Sequence, residues 1–410
     1  MRGLFVLLLF AVVSPAQDAA VVPSGVPLRI ALEQRVIIKK IGEPIRGRLI
    51  EPVYVYDRMV LAAGTLVEGH IAGIGGVPAM RRISAILSGN FTPPRDVRAR
   101  FDTLVLNDGS RRPLETALSR GTAHTVRIRA GNGKQKPALD DALAARAFTA
   151  PGKMSRLKTA LLERFPYHRQ SWRAGTLFDA DLQAPLSGLP SVPADPQSGG
   201  EQIEARLVAS VNSAIAQKGA PLEAVVTRPL FNTDHSLLIP EGSRLLGEVV
   251  ESRRARFLHR NGKLLFTFHQ LKLTGQPVQA VQGFLEGVDA DFDAHLALDS
   301  EGTAHTSDPK SRFIFPALAV AAAGLSFHQD YNARGVPDAD SGGRAESGAV
   351  GLGLIGVGVA QASRALASTI AITGAAFSLY TTFLARGEDV VLPANTAVRV
   401  GLKPRRQPVK

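Results

Sequence analysis

The 410-residue sequence contains no cysteine, and this absence removes several kinds of chemistry at once. Without thiols the chain has no disulfide, no thiolate nucleophile and no cysteine-ligated metal site. Core packing, backbone hydrogen bonds and partner contacts must therefore supply all of the stability. The chain is long enough for two or three domains.

Aromatic residues are also scarce, at 6% of the chain, whereas basic residues are in excess and give a net charge of +12. Such a charge in a cytoplasmic protein suggests nucleic-acid binding. Single-stranded nucleic acids, however, bind where aromatic side chains stack on the bases, and few aromatics lie near the basic residues here. The basic residues are also dispersed, as in residues 81–129. We therefore expect a solvated basic face and no nucleic-acid partner.

Recognisable catalytic motifs are missing as well. The sequence has no His-Glu-x-x-His zinc motif, no Gly-x-Ser-x-Gly nucleophile elbow and no Walker phosphate loop. Gly351, Gly353 and Gly356 match a dinucleotide fingerprint by letter, but no strand precedes them and no acidic residue follows about 20 positions later. We expect no enzyme, no cofactor and no small-molecule substrate. An enzymatic alternative would need a polar cluster in a concave pocket.

The first sixteen residues have the pattern of a secretory signal peptide. Arg2 supplies a basic start, residues 4–13 are apolar, and residues 14–16 place small side chains before a cleavage point at Gln17. The apolar run is well short of the roughly 20 residues that cross a bilayer as a helix. An uncleaved anchor and a buried first strand are the alternatives. We predict export to the periplasm, with outer-membrane association as a further option.

Comparison of the chain with itself reveals an internal duplication. Matches that keep their order along the chain favour a repeated module. The matched positions are residues 42–45 with 219–222, Gly64 with Gly242, Gly69 with Gly247, and 101–106 with 268–273.

Each copy has the pattern of β structure. Residues 45–50 carry β-branched side chains with partial alternation. Turns such as the one at Gly242 need a residue that adopts positive φ, which glycine does readily. In a similar segment near the C-terminus, Asn395 stands at the glycine position. Asp108-Gly109 and Asn261-Gly262 are pairs favoured in tight hairpins. We predict a mainly β fold with two related barrel-like or sandwich-like modules and an α-helical hairpin insertion near the C-terminus.

The predicted domain boundaries follow the changes in composition. They are a signal peptide at 1–16, a first β module at 17–119, a basic linker with a short helix at 120–170, and a second β module at 171–410.

Within the second module, residues 313–385 are predicted to form the apolar helical insertion. Residues 349–385 contain only Arg364 as a charge, and their small residues recur at spacings of three and four. Such a stripe lets two helices approach closely in lipid. The insertion either enters a membrane or lines an oligomeric ring, or it is a helical pair buried against the sheet. The expected membrane or oligomer contacts are Phe313, Leu318, Leu352, Ile355, Gly356, Ala360, Ile370 and Phe377.

A short acidic segment is the weak candidate for a metal site. Asp289, Asp291 and Asp293 alternate and are followed by His295, so their side chains suit a hard cation on one strand face. The glycine and glutamate of a calcium-binding hand are absent from the corresponding positions. The favoured interpretation is a solvent-facing charged strand, because charge discourages edge-to-edge aggregation.

The order of motifs in the C-terminal half resembles the β domain of the TrbI-like family, the outer-membrane-core scaffold of bacterial conjugation and type IV secretion channels. In that family a two-helix insertion before the last strand forms a membrane antenna in a ring of subunits, and the apolar insertion here has a similar place. The resemblance covers about half of the chain, and its motifs are structural rather than catalytic. It is carried by residues 175–177, 238–248, 266–273, 288–295 and 391–402.

The resemblance implies a non-enzymatic scaffold of the cell envelope that forms a homo-oligomer or assembles with other envelope proteins. The family usually has an N-terminal cytoplasmic segment and a transmembrane helix, whereas here a signal-like leader precedes another β copy. Fold resemblance does not by itself establish function. The alternative is a periplasmic module whose basic face binds an anionic glycan or lipid surface.

Overall fold

The structure of the protein is a computed structural model, and its described residues lie mainly in β-strands and the turns between them. The predicted signal peptide and the short helix of the predicted linker lie outside the described residues. Among the described residues, no helix combines the length and the apolar content needed to cross a bilayer. The described residues are 20–79, 82, 93, 95–122, 125–137, 170–196, 202–291, 294–307, 330–331, 337–338, 369, 372–373, 376, 380–384 and 386–403.

The fold is mainly β. The strands before residue 200 are β1 (Ala20–Val22), β2 (Pro27–Leu32), β3 (Val36–Ile37), β4 (Pro44–Leu49), β5 (Val53–Val55), β6 (Arg58–Leu61), β7 (Leu66–Ile74), β8 (Val97–Val105), β9 (Arg111–Pro113), β10 (Ser119–Arg120), β11 (Thr125–Arg129), β12 (Asn132–Pro137), β13 (Ser171–Trp172), β14 (Leu177–Asp181), β15 (Leu186–Leu189) and β16 (Val192–Pro193).

The strands after residue 200 continue this series. They are β17 (Ile203–Leu207), β18 (Val211–Asn212), β19 (Pro221–Val226), β20 (Leu230–Phe231), β21 (Leu237–Ile239), β22 (Arg244–Arg253), β23 (Lys263–Lys272), β24 (Gln279–Asp291), β25 (Leu296–Leu298), β26 (Ala304–Thr306), β27 (Asp330–Tyr331), β28 (Pro337–Asp338), β29 (Val391–Leu392) and β30 (Ala397–Lys403).

The predicted helical hairpin is not shown. Within residues 313–385, the described elements are the strand pair of β27 and β28 and a π-helix at Tyr380–Leu384. The rest of that insertion lies almost entirely outside the described residues.

The first sheet is a half-barrel. Its strands follow the order β10-β8-β7-β4-β2-β14, all antiparallel, with β9 paired to β8. Strand β4 shows that one face of this sheet is covered, because its buried positions alternate strictly with exposed ones. The core of this sheet contains an aromatic cluster in which Phe178 meets Phe101 and Trp172 edge to face, with ring centroids 5.5 and 5.0 Å apart.

The second sheet closes into a six-stranded barrel. The ring runs β24-β30-β17-β19-β22-β23, and β23 pairs again with β24. Closure removes the free edges of these six strands. Phe266 and Phe268 fill the core from β23, together with Leu245 and Val400 from the neighbouring strands. Strands β11 and β12 extend the sheet beside β24, and β26 and β25 extend it beside β23.

Strand pairing within each sheet has the same register at the positions that the sequence comparison matched. Ile45 faces Gly69 across β4 and β7, and Leu222 faces Gly247 across β19 and β22. Each of these two glycines also sits at a bulge, opposite Phe101 in the half-barrel and opposite Phe268 in the barrel.

Equivalent turns support the same correspondence. Gly64 and Gly242 both have positive φ, and each donates its backbone N–H to the last residue of an earlier strand, at 2.6 Å to Leu49 of β4 and 2.9 Å to Val226 of β19. Asn395 has a φ of 65°, so the expected left-handed turn residue is confirmed there.

Strand pairing departs from the predicted domain boundaries at two points. Strand β14 pairs with β2 in the first sheet, and β13 and β15 form two-stranded sheets with β3 and β1. Residues 171–189 therefore pair with strands of the first 40 residues, although 171–410 was predicted to be the second module. Strand β11, predicted to lie in a linker, pairs with β24 of the barrel. Both pairings join strands that are far apart in sequence, and local sequence patterns do not predict such pairings.

The two predicted tight hairpins have different outcomes. Gly109 has a φ of 80° and turns β8 back into β9, as expected. The prediction at Asn261-Gly262 was wrong, because the whole connection between β22 and β23 spans residues 254–262. Its left-handed residues are instead Leu258 and His259.

Candidate functional site

Two groups of charged side chains stand out in the described structure. The first connects the half-barrel to the barrel, and we call it the arginine–carboxylate joint. The second lies at one end of the barrel, and we call it the arginine pocket. The joint consists of Arg29, Glu51, Arg127, Asp179, Arg206, Asp289 and Arg399. The pocket is lined by Arg253, Arg254, Arg256, Arg260, Asn261, Lys263, His305 and Thr306.

Arg29 is the central cation of the joint. It lies on β2 of the half-barrel with its side chain 5% exposed, and one guanidinium nitrogen contacts Glu51 at 2.7 Å and Asp289 at 2.9 Å. Burial alone lowers the pKa of Arg29, but the attraction of Glu51, Asp289 and Asp179 outweighs this and raises the pKa above its usual value. Arg29 therefore carries a permanent positive charge between the two sheets.

Arg206, on β17 of the barrel, completes a second crossing between the sheets. Its guanidinium contacts Glu51 at 2.8 Å and Asp179 at 3.4 Å, and it donates to the backbone oxygen of Asn395. Burial opposes ionisation of Glu51, yet the two neighbouring arginines hold its pKa well below its usual range. Glu51 thus remains a carboxylate bridging one arginine from each sheet.

Asp289 is the most buried carboxylate of the joint. Its side chain is 1% exposed and contacts Arg127 at 3.1 Å and Arg399 at 3.6 Å, in addition to Arg29. The favoured expectation of a solvent-facing charged strand is therefore wrong for Asp289. A carboxylate that is surrounded by three arginines has its charge compensated by protein groups.

Asp291, Asp293 and His295 are the other members of the weak metal candidate. Asp291 ends β24, Asp293 lies outside the described residues, and the His295 backbone oxygen accepts hydrogen bonds from Ser307. Across the described ranges, no three His, Asp or Glu side chains are placed to hold a metal ion.

A turn-to-turn contact forms another connection between the sheets. The Tyr56 N–H donates to a Glu241 carboxylate oxygen at 3.0 Å, and the Glu241 N–H donates to the Tyr56 backbone oxygen at 2.9 Å. Tyr56 has a φ of 62°, an uncommon conformation for a residue other than glycine. Burial raises the pKa of Glu241 to about 7, although the hydrogen bond from Tyr56 acts in the opposite direction.

The arginine pocket is a cavity of about 610 Å³ where β22, β23 and β26 meet. Five of its lining residues are Arg or Lys and none is acidic. Among the described side chains, one of these five cations forms an ion pair. Arg253 contacts Glu251, whose side chain is partly exposed, at 2.7 Å. The pocket therefore has a concentrated positive charge that nearby carboxylates compensate only in part.

The loop that carries the pocket, residues 254–262, is tied firmly to the chain after the apolar insertion. The Ala255 N–H donates to Asp389 at 2.6 Å, and Arg386 donates to the Ala255 oxygen at 2.9 Å while pairing with Asp389. The Gly387 N–H donates to the Arg256 oxygen at 3.0 Å. The backbone of the pocket is thus held in place by residues 386–389.

The tip of this loop presents apolar side chains to solvent. Phe257 and Leu258 are 67% and 57% exposed, and Leu258 and His259 have φ values of 63° and 50°. Two successive left-handed residues make a primed turn, for which asparagine and glycine are the usual residues. The Leu258 N–H donates to Leu384, whose side chain is also half exposed.

The predicted site residues and the observed charged groups barely overlap. Asp289 is the one predicted residue that enters either group. The dispersed basic residues of 81–129 do not indicate the arginine pocket, whereas residues 253–263 hold five Arg or Lys residues together with Phe257 and Leu258. The contacts expected in the insertion lie outside the described residues, namely Phe313, Leu318, Leu352, Ile355, Gly356, Ala360, Ile370 and Phe377.

Comparison with known proteins finds no family model and no curated protein that matches the chain.

Proposed function

We propose that this protein is a non-enzymatic scaffold of the cell envelope that acts by assembly. The observation that carries the proposal is the arginine–carboxylate joint, which fastens the half-barrel to a closed barrel. Arg29 and Arg206 reach Glu51 from opposite sheets, and Asp289 draws three arginines together. Such buried ion networks specify one relative placement of two bodies more than they add stability. A fixed placement is what a scaffold needs.

The shared register of the two sheets supports the same proposal. We infer that they are related modules, because the bulges at Gly69 and Gly247 fall at the same point of the strand order. The closed barrel is compatible with the resemblance to the TrbI-like family, in which a β domain forms part of a ring. In that case the apolar insertion supplies contacts between subunits or with the outer membrane.

The assembly proposal is tested by the size of the detergent-extracted protein. We expect full-length protein to run as a large homo-oligomer in light scattering, and protein lacking residues 313–385 to run as a monomer with unchanged β-type circular dichroism. The deletion removes the proposed subunit contacts and leaves every strand of the half-barrel and of the barrel in the chain. A monomer from the full-length chain would contradict the proposal.

Export is tested separately from assembly. We expect the mature protein to begin at Gln17 and to fractionate with the periplasm or the outer membrane, which N-terminal mass spectrometry of each fraction checks. Retention of residues 1–16 in a cytoplasmic fraction would contradict this part of the proposal.

A second candidate function is the binding of an anionic glycan or lipid surface. The arginine pocket favours it, because five cations line one cavity. Electrostatic binding of this kind weakens as salt screens the charges. We therefore expect salt-sensitive retention on lipopolysaccharide or cell-wall material, and retention that is insensitive to salt would contradict it.

A further inference from the structure

The arginine pocket and the exposed loop tip are parts of one surface. Phe257 and Leu258 lie between Arg256 and Arg260 in the loop, and the N–H of Leu258 reaches the backbone of Leu384. The side chains of Phe257, Leu258 and Leu384 are all at least half exposed. This end of the barrel thus combines an apolar tip with a ring of cations.

We infer that this end of the barrel docks on a membrane surface that bears anionic phosphate lipids. The pocket cations would bind lipid phosphates, and Phe257 and Leu258 would enter the boundary between headgroups and acyl chains. The inference rests on the second candidate function and names its ligand class.

Charge complementarity is the first argument for a lipid phosphate. Arg254, Arg256 and Arg260 are exposed, and across the described residues no carboxylate lies within ion-pair distance of them. Guanidinium groups match phosphate oxygens with paired hydrogen bonds. Each basic residue near an anionic membrane surface strengthens binding by about fivefold.

The apolar tip is the second argument, and it distinguishes a membrane from a soluble anion. A soluble phosphate or glycan offers no apolar phase for Phe257 and Leu258, which are held outward in water by two left-handed residues. Strain of this kind is retained at sites where a side chain must point in one direction. Aromatic side chains are favoured at the membrane interface, so Phe257 has a place there.

The third argument is the rigid backbone of the loop. Asp389 and Arg386 hold Ala255 by two hydrogen bonds, and Asn261 is tied to Thr306 and Glu388. A tip that is already in position loses little conformational freedom when it binds. These anchors also mean that the exposed side chains can be changed without altering the fold.

The test uses the full chain and vesicles of two compositions, phosphatidylcholine alone and phosphatidylcholine mixed equally with phosphatidylglycerol. We expect cosedimentation to favour the anionic vesicles and to weaken with added salt. The pair Arg254→Gln with Arg256→Gln is expected to weaken binding about 30-fold, from about fivefold for each charge. The matched control is Lys39→Gln with Lys40→Gln, which removes the same charge from exposed positions of the first half, and it is expected to bind normally.

A second pair of changes separates the lipid from other anions. Phe257→Ser with Leu258→Asn keeps every pocket cation, and asparagine tolerates the left-handed conformation at 258. We expect it to weaken vesicle binding at least tenfold while retention on lipopolysaccharide-derived soluble polysaccharide stays unchanged. Equal vesicle binding by wild type and both pairs would overturn the inference.

The remaining outcomes distinguish failure of the inference from failure of the second candidate function. If the soluble polysaccharide is retained through Arg254 and Arg256 but anionic vesicles are not preferred, the anion-binding function stands and the membrane inference falls. If neither ligand binds, both fall. If the tip changes alter oligomer size and leave vesicle binding intact, the tip is a protein contact and the inference is overturned.

Discussion

At the scale of single residues, Asp289 is the carboxylate of the joint with three arginine partners. Its carboxylate is buried among Arg29, Arg127 and Arg399. Removing one partner from a buried ion network is costly because the opposite charges remain without compensation. Loss of this one carboxylate would therefore weaken the contact between the two sheets.

We predict that Asp289→Ala lowers the free energy of unfolding by about 3–5 kcal/mol, measured by urea denaturation. Asp289→Asn should be nearly as harmful, since it keeps the shape and removes the charge. Asp96→Ala is the control, because Asp96 pairs with Arg98 and Arg120 at the surface, and its loss should be much smaller. Equal losses of unfolding free energy in the variants at positions 289 and 96 would show that burial of the joint does not increase the effect of removing a carboxylate.

Glu241 makes stability depend on pH. Its pKa is raised from 4.5 to about 7 in the folded protein by burial, so the folded protein keeps a proton that the unfolded chain loses. The contribution is fully present below pH 4.5 and is lost as pH rises toward 7.

We predict that Glu241→Gln removes this pH dependence while still accepting the hydrogen bond from Tyr56. Wild-type protein should lose about 1–3 kcal/mol between mildly acidic and neutral pH, and the variant should not. Denaturation at a series of pH values checks this. A wild-type profile that rises through the same window would contradict the expected sign.

At the scale of elements, the bulges in β7 and β22 depend on glycine. A Cβ on Gly69 would lie inside van der Waals distance of the Arg100 carbonyl oxygen, and one on Gly247 would meet that of Thr267. The neighbouring strands could not approach so closely with any larger residue. The same close approach of a neighbouring strand thus explains why glycine occurs at both of the positions that sequence comparison matched.

We predict that Gly69→Ala destabilises the protein by about 1–3 kcal/mol, because the neighbouring strand must move away. Gly73→Ala is the matched control in the same strand, since a Cβ there would meet nothing within 4 Å. Alanine at 73 should be neutral or mildly stabilising. Thermal denaturation of the two variants makes the comparison, and equal losses would refute the role of close strand approach.

Elements also show where local sequence patterns succeed and where they do not. The alternation of β4 and the turn glycine at Gly242 are visible in sequence, because pleat direction and positive φ are properties of a few adjacent residues. The prediction of a tight hairpin at Asn261-Gly262 was wrong because contacts distant in sequence decide the conformation there. Asn261 is held by Thr306 and Glu388, so distant contacts replace the preference for a tight turn.

At the scale of the whole molecule, the joint couples the half-barrel to the barrel. Its charges are compensated only while both sheets are folded and in contact. Strand β11 adds a backbone connection, since it follows the half-barrel strands in the chain and pairs with β24. Folding of one sheet without the other would leave these arginines and carboxylates without their partners across the joint.

We therefore predict a single cooperative unfolding transition for the two sheets in scanning calorimetry. Glu51→Gln combined with Asp289→Asn should separate it into two, since the charges that join the sheets no longer attract. Glu223→Gln with Arg244→Gln is the control, because it removes an exposed pair within the barrel. Two transitions in the wild-type protein would contradict the coupling.

The sequence by itself determined the mainly β character, the left-handed turns at Gly109, Gly242 and Asn395, and the correspondence between Gly69 and Gly247. These depend on steric rules that act within a strand or a turn. Only the tertiary structure decided which charges are buried. Arg29 and Asp289 are 260 positions apart, and their contact exists because two sheets pack together. The barrel closure of β23 on β24 and the gathering of cations in the arginine pocket depend on the same long-range packing.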